Sequence, residues 1–130
     1  MNSNQPPPRL LIIDDEPIVG KRLQQAFAKL GLEVAIFTSP QPAMAAMAER
    51  PFDIVVTDLK MEGMDGIEVL RRARQLHSRT RVIIITGYAS QETADAALKE
   101  GVFDFLAKPF RLEELKASVS RALDELAGGV

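Results

Sequence analysis

The 130-residue chain contains no cysteine. That absence removes thiol catalysis, zinc–thiolate sites, disulfides and thiol redox switching together, and it fits a reducing compartment. No apolar stretch approaches the roughly 20 residues that cross a bilayer, so no membrane association is expected. Residues 1–8 are polar and proline-rich and carry no apolar signal core, so a cytoplasmic location is expected rather than secretion. A basic excess is missing too: 16 Lys and Arg stand against 18 Asp and Glu, a formal net charge of −2. Free-standing nucleic-acid binders usually show a basic face, so no direct nucleic-acid binding is expected. The length suits one domain, and about two thirds of the unfolded surface can be buried at this size, enough for a core without staples.

What the chain does have is alternation. Residues 1–8 read as a disordered tail with prolines 6–8 in polyproline geometry, residues 9–127 as one domain, and residues 128–130 as a flexible end. Strand-like runs at 10–13, 33–37, 53–57, 82–85 and 103–106 alternate with five helical patterns. The first, third and fourth runs are almost continuously aliphatic, as expected when helices cover both faces of a parallel sheet. The second and fifth are more mixed, which suits sheet edges. Right-handed crossovers then predict a doubly wound α/β fold, a three-layer sandwich around a five-stranded parallel sheet.

The helical stripes are Val19, Leu23, Ala26, Phe27 and Leu30, closed by Gly31, and then Ala43, Met44, Met47 and Ala48, opened by Ser39-Pro40 with Ser39 as a capping hydroxyl. A third stripe follows Gly66 with Ile67, Leu70, Ala73 and Leu76, and a fifth runs Leu112, Leu115, Val119, Leu123, Leu126. The fourth helix, capped by Ser90 and ended by Gly101, offers only Ala94, Ala97 and Leu98. Alanines remove little apolar area from water, so this helix is expected to be the loosest of the five.

Four of the apolar runs stop at residues able to do chemistry: Asp14-Asp15-Glu16, Asp58, Thr86, and Lys108-Pro109. In open α/β sheets ligands bind in the crevice outside the carboxyl ends of the strands. Carboxylates about 4 Å apart repel by about 4 kcal/mol at an effective dielectric near 20. Gathering Asp14, Asp15 and Asp58 there requires either protonation or a cation, and a partly wet cleft of two or three acids suits Mg2+. Asp58 is the candidate nucleophile, since a carboxylate can form an acyl phosphate. Lys108 and Thr86 are the groups to neutralise phosphoryl oxygens. Each has a plainer reading alone: acids ahead of a helix, a solvated lysine, a structural threonine. Their shared strand-end position separates the two readings.

Other residues carry less. His77 sits beside Arg79 and Arg81 and reads as a surface residue, and Arg71, Arg72 and Arg74 read as a solvated helix face. The methionines look like core or loop packing, with Met61 and Met64 near the site. Gly63 and Gly66 lack the Gly-Lys-Ser/Thr ending of a phosphate-cradling loop.

Asp14-Asp15-Glu16-Pro17, the segment from Asp58-Leu59-Lys60-Met61 to Met64-Asp65-Gly66, Thr86-Gly87-Tyr88 and Lys108-Pro109-Phe110 resemble the receiver domain of two-component response regulators. The resemblance spans residues 9–127 with the motifs in the family's order. It implies the strand order 2-1-3-4-5 of a flavodoxin-like fold. It also implies that Asp58 accepts a phosphoryl group from a histidine kinase or phosphotransfer protein. Asp15, Asp58 and the carbonyl of Lys60 would bind Mg2+, with Asp14 acting through a bound water. Thr86 and Lys108 would contact the phosphoryl group, Thr86 and Phe105 would switch, and the Lys108–Pro109 bond would be cis. A regulatory domain that assists its own phosphorylation and dephosphorylation follows, rather than an enzyme with an external substrate. Its partners would be that kinase, a downstream effector, and a second copy docked through the face of fourth helix, fifth strand and fifth helix.

The departures are Glu62, where the family commonly has proline, and Phe105, often a tyrosine. Lys60 and Tyr88 flank the approach of attacking water and are expected to shield the acyl phosphate. Arg111 stands where a capping acid or hydroxyl is common. Two alternatives remain: an aspartate-nucleophile phosphohydrolase, disfavoured by Lys60 where a second acid is usual, and a pseudo-receiver used only for contacts.

Overall fold

Successive strand side chains point to opposite faces of a sheet, and the central runs of this chain carry aliphatic residues on both. A computed structural model describes residues 6–128. It arranges them as β1 (Arg9–Ile13), α1 (Pro17–Ala28), β2 (Glu33–Phe37), α2 (Pro40–Glu49), β3 (Ile54–Asp58), α3 (Gly66–Leu76), β4 (Arg81–Thr86), α4 (Gln91–Lys99), β5 (Asp104–Ala107) and α5 (Leu112–Gly128). The strands form one parallel sheet in the order β2-β1-β3-β4-β5. Both the class and the order agree with the expectation. β3 is buried throughout, while the edge strands β2 and β5 are mostly half-exposed.

The pleat divides the aliphatic runs between two cores. Leu11, Ile13, Val55, Val82 and Ile84 face α2 and α3, packing on Ala43, Met47, Val69, Leu70 and Ala73, with Ala97 of α4. Leu10, Ile12, Ile54, Val56, Ile83 and Ile85 face Leu23 and Phe27 of α1 and Leu115, Val119 and Ala122 of α5. Burying each such large side chain contributes roughly 1.5–3 kcal/mol. A one-residue slip of any central strand would exchange the two sets and ruin both cores. Register is therefore fixed, and with it the level at which the strands end: Asp58 pairs with Ile85, and Thr86 with Ala107.

Several expectations are corrected. α1 ends at Ala28, so Leu30 falls in the following turn and is exposed. Ala48 is exposed, as are Leu76 at the last position of α3 and Leu98 on α4. Ser39 holds the N-cap position of α2, but its hydroxyl makes no capping hydrogen bond. His77 is half-buried rather than on the surface, with Nε2 at 3.1 Å from the Met47 carbonyl oxygen. Arg71 and Arg72 are exposed, as expected of a solvated face, and pair with Glu100 and Glu68. Pro8 is held by the Glu33 N–H, which donates to its carbonyl at 2.9 Å. Gly128 lies within α5, not beyond it. Expectations for residues 1–5 and 129–130 lie outside the described residues.

Candidate functional site

Three strands deliver their last residues, or the next ones, to one cleft. Asp14 follows β1 and is anchored by its N–H, which donates to the Phe37 carbonyl at 3.0 Å. Asp58 is the final residue of β3. Lys108 follows β5, and its N–H donates to the Thr86 carbonyl at 2.8 Å. Lys108 Nζ then reaches Asp58 Oδ2 at 3.1 Å and lies 3.7 Å from Asp14 Oδ2. One ammonium thus draws together residues 50 and 94 positions away in sequence (108 − 58 and 108 − 14). The Lys108–Pro109 peptide bond is cis.

The charges are unequal in their surroundings. Asp14 is 1% exposed. Oδ1 accepts the Glu16 N–H at 2.8 Å, but Oδ2 is buried with no hydrogen-bond donor. Burial pushes the Asp14 carboxyl up, the Glu16 N–H and Lys108 oppose that, and the charges of Asp58 and Glu16 push the same way as burial. Ionised Asp14 therefore opposes folding, and its cost sets in as pH rises from 3.8 through the raised value. For Lys108, burial pulls the ammonium down, but the hydrogen bond to Asp58 and the charges of Asp14, Asp58 and Glu16 outweigh it and hold it above its usual value. Its stabilising contribution is fully present below 10.5 and is lost as pH rises through the raised value.

Asp58 is 7% exposed and doubly engaged: Oδ1 accepts the Leu59 N–H at 2.8 Å while Oδ2 accepts from Lys108. Thr86 is fully buried, and its Oγ1 accepts the Tyr88 N–H at 2.9 Å. Phe105 is half-buried against the α2–α3 core. Lys60 and Tyr88 are exposed, and Lys60 Nζ stands 5.3 Å from the Tyr88 ring centroid, within cation–π range across the mouth of the cleft. Met64 belongs to the core, while Met61 is half-buried against its edge.

Among the described residues, those with carboxylate oxygens all within 4.8 Å of one another are Asp14, Asp15 and Glu16. Asp58 is not in that group; it is joined to Asp14 through Lys108. A buried, donorless carboxylate oxygen beside two exposed acids fits a hydrated divalent cation, which takes oxygen ligands and keeps waters.

Sequence reasoning missed four supports. Gly66 opens α3 directly beneath Asp58: a Cβ there would lie 2.5 Å from the Asp58 carbonyl oxygen and 2.9 Å from Leu59 Cα, so only glycine fits. Asp65 caps the same helix by accepting the Glu68 N–H at 2.9 Å, a signal readable as an acid before a helical stripe. Arg111 at the start of α5 donates its N–H to the Glu114 carboxylate at 2.9 Å, the reverse half of a capping box. Gly63, at φ +95, turns the loop after β3 in a conformation glycine adopts freely.

A groove of about 730 Å3 lies at the opposite end of the sheet, bordered by Pro8, Arg9, Phe52, His77, Thr80 and Leu126. None of the strand-end residues lines it, and two of its arginines are already committed, Arg9 to Glu33 and Arg79 to the Leu126 carbonyl.

Comparison with known proteins agrees with the fold. The response regulator receiver domain family matches residues 10–120. The regulatory protein AtoC of Escherichia coli is 44% identical over 115 residues, 88% of this chain and 25% of that protein. This chain spans about a quarter of the length of the first curated relatives it matches. A CheY-like receiver domain protein from Methanospirillum hungatei superposes with a TM-score of 0.91 at 28% identity, covering 95% of this chain and 99% of that one. A response regulator protein from Burkholderia pseudomallei, solved with a phosphorylated aspartic acid, a calcium ion and citrate, gives 0.81 at 26% identity, covering 95% and 73%. Fold, strand-end chemistry and relatives coincide, and the chain belongs to the response regulator receiver domain family.

Proposed function

We propose that this receiver domain is a phosphorylation-dependent switch whose phosphoacceptor is Asp58, charged from the phosphohistidine of a sensor histidine kinase or phosphotransfer protein. The observation that carries this reading is the 3.1 Å contact between Asp58 Oδ2 and Lys108 Nζ beside a buried Asp14. A carboxylate oxygen of Asp58 attacks phosphorus; the P–O bond forms as the P–N bond breaks, and the departing imidazole nitrogen takes up a proton from water. Lys108, fully charged at neutral pH, neutralises a phosphoryl oxygen.

Asp15, Asp58 and the Lys60 carbonyl would hold Mg2+, with Asp14 acting through a bound water. When bound, the ion supplies positive charge to the phosphoryl oxygens. The donorless Asp14 Oδ2 and the neighbouring acids support that placement.

The added charge of about −1.5 to −2 draws the Thr86 hydroxyl away from the Tyr88 N–H. Thr86 vacates space behind it, Phe105 turns inward, and α4, β5 and α5 present a changed face. The phosphoryl group biases two existing arrangements. That face would address an effector or a second copy of the chain. The domain assists its own phosphorylation and dephosphorylation, and Lys60 and Tyr88 shield the acyl phosphate from water. A cytoplasmic location follows from the proposed kinase partner; among the described residues no helix is long and apolar enough to cross a membrane.

The test is intact mass after acetyl phosphate treatment with and without Mg2+. The expected result is one phosphoryl unit gained only with Mg2+ and lost in Asp58→Asn. A gain that survives the substitution overturns the assignment of Asp58.

A further inference from the structure

The two ends of α4 are held in different ways. At the N-terminal end, residues 87–92 are all exposed. Among the described residues, the side-chain hydrogen bonds of residues 90–95 all stay within the helix and its cap, Ser90 with Thr93 and Gln91 with Asp95. At the C-terminal end Ala97 is fully buried and the chain closes in a Schellman turn. The Gly101 N–H donates to the Leu98 carbonyl and the Val102 N–H to the Ala97 carbonyl, both at 3.1 Å, and Val102 packs on the α2–α3 core. Two arginines of α3 meet this turn. Arg71 Nε and Nη2 donate to one Glu100 carboxylate oxygen at 3.2 and 3.1 Å. The half-buried Arg74 lies against the bare backbone of Gly101, where a Cβ would stand 3.0 Å from its Nε. Cations beside the last turn of a helix are favoured by the partial negative charge of its free carbonyls. α3 thus holds α4 at one end only.

We propose that Arg71 and Arg74 form the pivot of α4, so that phosphorylation displaces the N-terminal end of the helix while Glu100 and Gly101 stay on α3. The pivot rests on the switch reading above and adds the point about which the moving element turns. The exposed run 87–92 follows directly on Thr86, the residue that moves in that reading, so the free end of α4 is the end joined to the site. The capping box keeps the helix rigid as it turns. Nine residues span about 13 Å, and a tilt of about 20° carries the free end through about 5 Å.

The chain has no cysteine, so spin-label pairs can be introduced without removing native thiols. Gln25→Cys on α1 is paired with Glu92→Cys or with Lys99→Cys, exposed positions at the two ends of α4. Distances are read by pulsed electron spin resonance, with far-UV circular dichroism to confirm folding. In the resting chain the Glu92 distance distribution is expected to be the wider of the two. After acetyl phosphate with Mg2+, and with one added phosphoryl unit confirmed by mass, the Glu92 distance is expected to shift by about 5 Å and the Lys99 distance by about 2 Å at most. Arg71→Ala combined with Arg74→Ala is expected to widen the resting Lys99 distribution to that of Glu92. Arg72→Ala, which removes an arginine paired with Glu68 within α3, is expected to leave it unchanged. Equal shifts at both ends, or a resting Lys99 distribution as wide as that of Glu92, overturn the pivot. So does a Lys99 distribution that stays narrow without the two arginines, or one that Arg72→Ala widens as much. A phosphorylated chain in which neither label moves sinks the switch reading beneath, a result distinct from the resting widths, which decide the pivot without phosphorylation.

Discussion

α4 and α5 flank the same edge of the sheet, yet they are fastened very differently. α5 buries Leu115, Ser118, Val119 and Ala122. Ser118 Oγ donates to Asp104 Oδ2 at 2.7 Å, Arg121 reaches the same oxygen at 2.9 Å, and Glu125 pairs with Arg81 at 3.1 Å. α4 buries Ala97 alone and leaves Leu98 66% exposed. Its tie to the rest of the molecule is Arg71 to Glu100, at its C-terminal end. Such exposed pairs contribute about 1 kcal/mol at most. What α4 has instead is local: a complete capping box between Ser90 and Thr93 that holds the helix together without holding it down. An element that is internally well formed but weakly docked can move as a unit at little cost, as the proposed switch requires, while α5 supplies the frame.

Three substitutions probe that contrast by urea denaturation. Leu115→Ala empties a fully buried site between α5 and the sheet and is expected to cost about 2–5 kcal/mol. Ser90→Ala removes the acceptor for the Thr93 N–H and is expected to cost about 1 kcal/mol, read as fraying of the first turn of α4. Leu98→Ala is expected to stay within about 0.5 kcal/mol, because the side chain it shortens is already in water. If Leu98→Ala cost as much as Leu115→Ala, α4 would be docked after all and the contrast would fail.

The weak attachment of α4 was legible in its composition, but the reason sharpened in three dimensions. The stripe Ala94, Ala97, Leu98 names residues able to face inward; only Ala97 does so fully. Periodicity tells which residues share a helix face, and it does not tell where the helix ends or how far the neighbouring layer extends. Leu30 and Leu76 show this at the ends of α1 and α3, where the stripe outruns the core. Ser39 shows the converse for caps, since residue type marked the right position without the hydrogen bond.

At the site, the strand ends were readable because each central run stops at a polar residue. The partners were not, since the Lys108–Asp58 contact spans 50 residues. Nor could spacing tell that Asp14 would keep an orphaned oxygen or that Gly66 would pass under Asp58.

The most direct test of the central claim is hydrogen exchange across α4 and α5 before and after acetyl phosphate with Mg2+, in the wild type and in Asp58→Asn. At rest, α4 amides should exchange faster than those of α5. Phosphorylation should change protection across Gln91–Lys99 and leave the Leu115–Ala122 stretch unaltered, with no change in Asp58→Asn. A protein that gains a phosphoryl unit by mass yet keeps the same α4 protection, or shifts α4 and α5 equally, would contradict the account.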